Sequence, residues 1–259
     1  MRLPDSAFAG ANTILDVGGW FSPEPRATHV VDLMPWETRG ARLTLAPLPG
    51  ERFTRDTWWQ ADFLQPDFSL PFADSSFDLV TCGHTLEDLA DPGRLLGEMA
   101  RVGRRGLNEC PSRLTEQTKG IRDRESARPG HPHHHWIVES VGGTLLLYAK
   151  ADSGLEDEAC LVALLHTDRT VARTPGADLV FHAWSGRLAH RIIRGPECRE
   201  RAGGFVAALG VSDYLRQKDR LLRFARRLRR RLRGPAVDSS PWWPRIVEAS
   251  RPYSKIPLP

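Results

Sequence analysis

The segment Ile14-Leu15-Asp16-Val17-Gly18-Gly19-Trp20, followed by a second apolar run that ends at Asp32, constrains this chain more than any other feature. Ile14 to Val17 reads as a short parallel strand buried on both faces, and the glycine pair lets the backbone turn and approach a ligand closely. His29-Val30-Val31 reads as a second strand. Asp32 at its carboxyl end can accept both hydroxyls of a ribose, the role an acidic residue takes after a glycine turn in nucleotide-binding α/β folds. Two carboxylates at strand ends beside a glycine turn make a nucleotide-sized site.

The connection between the two strands narrows the ligand. A pyrophosphate requires an open glycine-rich turn at a helix N-terminus, where amide groups and the helix dipole meet the charge. Here Trp20 holds the third glycine position, and Pro23 and Pro25 disfavour a regular helix over 20–28. Dinucleotides fit poorly, whereas a nucleoside without phosphates has no such requirement.

Further along, Ala61-Asp62-Phe63 offers a carboxylate and an aromatic ring to a purine. Phe77 to Cys82 reads as a third buried strand. After the loop Gly83-His84-Thr85-Leu86-Glu87-Asp88-Leu89 and Asp91-Pro92, residues Leu95, Leu96, Met99, Ala100 and Val102 recur at helical spacing up to Gly103. The order of these pieces over about residues 12–150 resembles the class I S-adenosylmethionine-dependent methyltransferases, in particular the type 11 group. It combines an acidic glycine turn, an acidic end to the second strand, an Ala-Asp pair, the run Leu70-Pro71-Phe72 to Val80, His84 to Leu89 with Asp91-Pro92, and Glu98 with Arg101-Val102.

The resemblance implies an α/β fold with a doubly wound, Rossmann-like, mostly parallel sheet, a terminal antiparallel hairpin and a C-terminal α/β and helical extension. It implies S-adenosylmethionine as the cofactor and no resident metal. Asp16, Gly18 and Gly19 would surround its methionine part, Asp32 with Leu33 its ribose, and Asp62 and Phe63 its adenine. Cys82, Gly83 and His84 would lie beneath the methyl group. Two positions depart from the family pattern: Trp20 replaces a glycine, and Asp88 stands where a second histidine is common.

A chain of 259 residues with 41% hydrophobic and 26% charged residues can bury a sizeable core. It has no apolar run of membrane length and no signal-peptide core, so a cytoplasmic enzyme is expected. Cys82, Cys110, Cys160 and Cys198 are far apart and form no CxxC pair, which favours reduced thiols. The expected division is a methyltransferase-like domain over 1–150, a small mixed α/β extension over 151–211, and a basic helix with a proline-rich tail over 212–259.

A further strand from Leu107 should end at the ligand-facing edge of the sheet and aim Glu109 toward the transferred methyl. Glu116 follows in a short helix, and Ile137–Ser140 with Thr144–Tyr148 read as a hairpin around Val141-Gly142-Gly143. The catalytic candidates are His84, Glu109, His134 and His135. His84 could orient the acceptor, remove its proton, or merely shape the loop. The run His131-Pro132-His133-His134-His135 admits three readings: a solvated loop, a base or substrate clamp at His134 or His135, or a metal site of His133 and His135 with Glu109 or Glu116.

Residues 213–233 hold ten Lys or Arg and two Asp, a charge of +8 in a chain of net +4, so the rest carries −4. Leu215, Leu222, Ala225, Leu228 and Leu232 form a helical stripe among these arginines. The helix over 212–233 either covers the core with its leucines or contacts an anionic surface. The expected activity is methyl transfer to a small-molecule or carbohydrate-like acceptor by in-line displacement. Two rivals remain: a metal-dependent enzyme built on the histidine loop, and a non-catalytic binding module acting through the basic helix.

Overall fold

The computed structural model describes residues 5–39, 49–121, 124 and 128–233, with no side-chain description for 230–233. The proline-rich tail with Trp242-Trp243 lies outside the described residues. In chain order the elements are β1 (Ile14–Val17), β2 (His29–Asp32), β3 (Trp58–Gln60), β4 (Leu79–Gly83), α1 (Gly93–Val102), β5 (Arg105–Pro111) and α2 (Arg113–Glu116). They continue with β6 (Trp136–Val141), β7 (Thr144–Ala149), α3 (Leu164–Arg173), β8 (Leu179–Ser185), β9 (His190–Ile193), α4 (Pro196–Leu209) and α5 (Asp213–Arg233).

The chain forms two compact units. Among the described residues, one comprises the chain up to Glu109 together with Phe181–Ala189, and the other Cys110–Val180 and the chain from His190 to Arg233. This partition differs from the consecutive segments expected above, because a late strand returns to the first unit.

The first unit holds the central sheet, in the order β3-β2-β1-β4-β5-β8. Its first five strands run parallel, with Asp16 opposite Val30 on one side and Thr81 on the other. Strand order reverses between β1 and β4, and an open α/β sheet opens a crevice for ligands at such a switch point. Between β1 and β2 there is no helix, as the prolines dictate. Helix α1 follows β4 and buries Leu95, Leu96, Met99 and Val102 completely.

The paired motif residues Glu98 and Arg101 tie α1 to the Leu70-Pro71-Phe72 loop. Glu98 accepts from Leu70 N at 2.6 Å and Ser69 Oγ at 2.9 Å, and Arg101 donates to the carbonyls of Phe72 and Leu70. Three-residue β3 went unpredicted, since a segment with one buried side chain, Trp58, shows no periodicity.

The sixth strand is β8. The bonds Gly186 N to Arg104 O and Ser112 N to Asp178 O at its two ends run it antiparallel to β5. Trp184 lies inside this strand, and the chain turns after it at Gly186, with φ +67°. A Cβ on Gly106 would fall 2.3 Å from Trp184 Cζ2, so the absent side chain of β5 makes room for the indole.

The second unit has its own sheet, ordered β6-β7-β9. The predicted hairpin is present, turning through Gly142 and Gly143, both at positive φ. It does not end the central sheet but pairs in parallel with β9. Helix α5 packs differently from its leucine stripe. Leu215, Asp219 and Arg223 are buried, while Leu222 is half-buried, Ala225 is exposed and Leu228 is 48% exposed. Asp219 faces inward because the first amides of α3 need acceptors, and it takes the N–H groups of Leu164 and Leu165. No described helix is long and apolar enough to cross a membrane.

Candidate active site

β1 leads straight into the glycine pair. Gly18 adopts φ +75° and donates its N–H to Val31 O at 2.8 Å. A Cβ there would fall 1.8 Å from Thr85 Oγ1, and one on Gly19 would fall 2.4 Å from Asp16 Oδ2. Both glycines are therefore demanded by the protein's own packing at the strand ends. Asp16 is 2% exposed. It accepts from Glu24 N at 2.8 Å and from Thr81 Oγ1 at 2.9 Å, and burial pushes its carboxyl up to about 7.

Asp32 is also buried, with burial pushing it up to about 6. Its oxygens accept from Trp20 N at 2.9 Å and Met34 N at 2.7 Å. Each retains a lone-pair direction for a further donor. The side chain of Trp20 does not hang into the turn: its indole Nε1 donates to Thr38 O at 2.9 Å, and its ring packs against the cluster of Phe8, Ile14, Val30 and Trp58. Beside Asp32, the Leu33 carbonyl accepts from Gln60 Nε2 at 2.8 Å.

Asp62 is half-buried and engaged locally, accepting from Leu64 N at 3.0 Å and Gln65 Nε2 at 2.7 Å. Phe63 is buried and meets Phe68 edge-on at 5.4 Å. Cys82 is fully buried, and burial raises its thiol well above the usual range.

At the end of β4, beyond Gly83, His84 takes φ +52°, an uncommon conformation for a residue with a side chain. Its N–H donates to Glu109 O at 2.9 Å, which ties it to β5. The ring places Nε2 3.1 Å from Glu109 Oε1 and Nδ1 3.5 Å from Glu87 Oε1. The hydrogen bond to Glu109, followed by Glu87, raises His84 to about 9, so the ring is cationic near neutrality. Glu109 is 3% exposed and Glu87 is fully buried. Neither oxygen of Glu87 has a hydrogen-bond partner among the described residues, and the same holds for the buried amide of Asn108 on β5.

The structure thus brings Asp16, Asp32, Glu87, His84 and Glu109 to the carboxyl edge of one sheet. Thr81 and Glu87 carry part of this arrangement although sequence reasoning gave them no role at the site. Thr81 meets Asp16 through strand register and Glu87 is buried by loop closure, neither of which local sequence pattern announces. His134 and His135 belong to the second unit. There His134 is buried with Nδ1 2.7 Å from Glu116 Oε1, and the half-buried His135 accepts from Lys150 N through its carbonyl.

Residues 42–106 match the family model described as "Methyltransferase domain". Over these residues, about a quarter of the chain, the sequence resembles a methyltransferase domain. The matched residues run through β3, β4 and α1 to the start of β5. No curated protein matches the chain.

Among solved structures, the chain is similar to an S-adenosylmethionine-dependent methyltransferase from Mesorhizobium loti, at 22% identity over 44% of this chain and 51% of that one, with a TM-score of 0.32. A second, from Aquifex aeolicus, shows 16% identity over 39% of this chain and 57% of that one, TM-score 0.29. A Haloferax volcanii complex of the Trm112 methyltransferase activator and a putative methyltransferase shows 14% identity over 71% and 88%, TM-score 0.36. The chain spans little more than half the length of the first two.

The described residues fit an S-adenosine ligand on one physical count above all. Four carboxyl groups at the sheet's open edge are nine-tenths or more buried, and His84 is the one cation bonded among them in the described residues. Burying acidic groups is costly unless a positive partner compensates, and a sulfonium with an ammonium group supplies that partner.

Proposed function

We propose that the first unit is an S-adenosylmethionine-dependent methyltransferase acting on a small-molecule or carbohydrate-like acceptor. The observation that carries this reading is the group of four buried carboxyls, Asp16, Asp32, Glu87 and Glu109, gathered at the switch point of the sheet, where a cationic ligand would favour their ionised forms. When bound, the cofactor supplies a methyl group already activated on sulfur. Asp32 is assigned to the ribose hydroxyls through its remaining lone pairs, Asp16 and the Gly18-Gly19 turn to the methionine end, and Asp62 and Phe63 to the adenine.

His84 acts here as a cationic clamp. A ring held protonated to about 9 donates to a hydroxyl or carbonyl of the acceptor but takes no proton near neutrality. Glu109 orients that ring and is itself committed to it. Rate enhancement then comes from holding the acceptor in line and excluding water, and the proton of an acceptor hydroxyl passes to an ionised carboxylate of the same edge rather than to His84. An acidic edge also favours acceptors rich in hydroxyl donors. Cytoplasmic residence is supported by four cysteines that are all buried and form no CxxC pair in the sequence.

Titration calorimetry with S-adenosylmethionine and its demethylated product tests the proposal. Binding of either to the full chain, lost in Asp32→Ala, is the expected outcome. A folded protein that gives no heat with both compounds overturns it.

A separate observation favours contact of α5 with an anionic surface. Tyr214, Leu221, Phe224 and Leu228 are 65%, 69%, 68% and 48% exposed on a helix otherwise filled with arginine. Sedimentation with vesicles of anionic and of neutral lipid tests it, and equal recovery with the two removes the idea.

A further inference from the structure

The loop that opens β6 carries a second group of chemistry-bearing side chains, within the second unit. One nitrogen from each of His131, His133 and His134 lies within 4.8 Å of the other two. The rings pack closely, with centroids 4.6 Å apart for His131 and His134 and 4.5 Å apart for His133 and His134. This is not the pair His133 and His135 that an extended segment would place on one face. A turn closes the loop instead, through the bond from His134 N to His131 O at 3.2 Å.

Three features fix this loop before any ligand arrives. Gly130 sits at φ +54°, and a Cβ there would fall 2.4 Å from Glu116 Oε2, so the chain passes directly over that carboxylate. Lys150 Nζ donates to the His131 carbonyl at 2.7 Å and to Glu116, while Lys150 N donates to the His135 carbonyl at 2.8 Å. Glu116 is fully buried, and its other oxygen lies 2.7 Å from His134 Nδ1. A carboxylate on one ring nitrogen fixes the imidazole's tautomer and strengthens the other nitrogen as a ligand, as in carboxylate–histidine–metal relays.

We propose that His131, His133 and His134 form a binding site for one divalent late first-row transition metal ion, with Zn²⁺ as its representative, through His134 Nε2 and one nitrogen from each other ring. Imidazole ligands select this class over Mg²⁺ or Ca²⁺, which require oxygen ligands. Three protein ligands leave a fourth tetrahedral position for water or an incoming group. At Zn–N distances of about 2.0–2.1 Å the nitrogens must approach to roughly 3.3 Å. Closing to that distance requires the rings of His131 and His133 to turn toward His134, which Glu116 holds. The site is independent of the methyltransferase reading, since none of its residues belongs to the first unit.

The test uses the full, untagged chain, stripped with a chelator and titrated with Co²⁺ alone and then with Zn²⁺. One equivalent of Co²⁺ should bind with the strong visible absorption of a four-coordinate ion, and Zn²⁺ should abolish it. His131→Ala and His133→Ala should each weaken binding at least tenfold, with circular dichroism reporting an unchanged fold. Glu116→Gln should weaken it by roughly ten- to a hundredfold. The proposal is overturned if the folded wild-type chain binds no stoichiometric metal. It is equally overturned if the His131→Ala/His133→Ala double variant binds as well as wild type.

Discussion

His84 Nε2 lies 3.1 Å from Glu109 Oε1, joining the loop after β4 to the end of β5 through a protonated imidazole. The folded value of about 9 exceeds the ordinary 6.5. The pair's contribution to stability is therefore fully present below about 6.5 and is lost as pH rises through about 9. A proton NMR titration should place the His84 midpoint near 9, and Glu109→Gln should lower it by about 1–3 units. A wild-type midpoint at the ordinary value would remove the clamp role.

Burial raises Asp32 to about 6 and Asp16 to about 7, so both hold protons more tightly in the free protein than in an open chain. A cationic ligand prefers them ionised. Affinity for S-adenosylmethionine should climb as pH rises through 6 to 7 and level off above, with a shallower dependence for the neutral thioether product. Asp32→Asn should weaken binding by about 1.5–3 kcal/mol, the worth of hydrogen bonds to a charged group. Calorimetry across that range checks both statements.

Gly18→Ala places a methyl group 1.8 Å from Thr85 Oγ1 at φ +75°. Left-handed backbone and overpacking together should cost about 2–4 kcal/mol in denaturant unfolding. Thr85→Ala in the same background should recover part of this, a coupling that a double-mutant cycle isolates. Gly97→Ala is the matching control, because it lies exposed inside α1 with open space around it and should stabilise by about 0.5–1 kcal/mol.

The Arg101 guanidinium holds Glu98 down at about 2, below its ordinary 4.5. Stability from this pair is present above about 4.5 and is lost as pH falls through about 2. Glu98→Gln should lower the melting temperature at neutral pH and flatten its decline in acid. An unchanged acid limb would mean that Arg101 holds the Leu70–Phe72 loop through its carbonyl bonds alone.

Much of the central sheet was legible because β1, β2 and β4 are apolar runs that close on or lead into glycine or acid, and α1 shows a full helical stripe. Local pattern could not reveal which strand closes the sheet. Sequence reading left 178–183 inside a mixed α/β extension, because the place of β8 beside β5 depends on Gly106 leaving room for Trp184, a complementarity between distant residues. Helix α5 misled for a related reason: leucine spacing predicts the buried face only when no polar demand competes, and the open amides of α3 drew Asp219 inward. At the site, Asp16, Asp32, His84 and Glu109 stood out as residue types at strand ends. Their partners Thr81 and Glu87 did not, since register and loop closure decide them.

The return of β8 to the central sheet has a consequence for how this protein is made. A ribosome delivers β1 to β5 well before Leu179 emerges, so the growing chain carries β5 as a bare edge with unpaired amides and carbonyls. That edge invites pairing with a neighbouring nascent chain for as long as translation of the intervening residues lasts. Pauses placed before codon 179 should accordingly lower the soluble yield, whereas pauses after codon 190 should leave it unchanged.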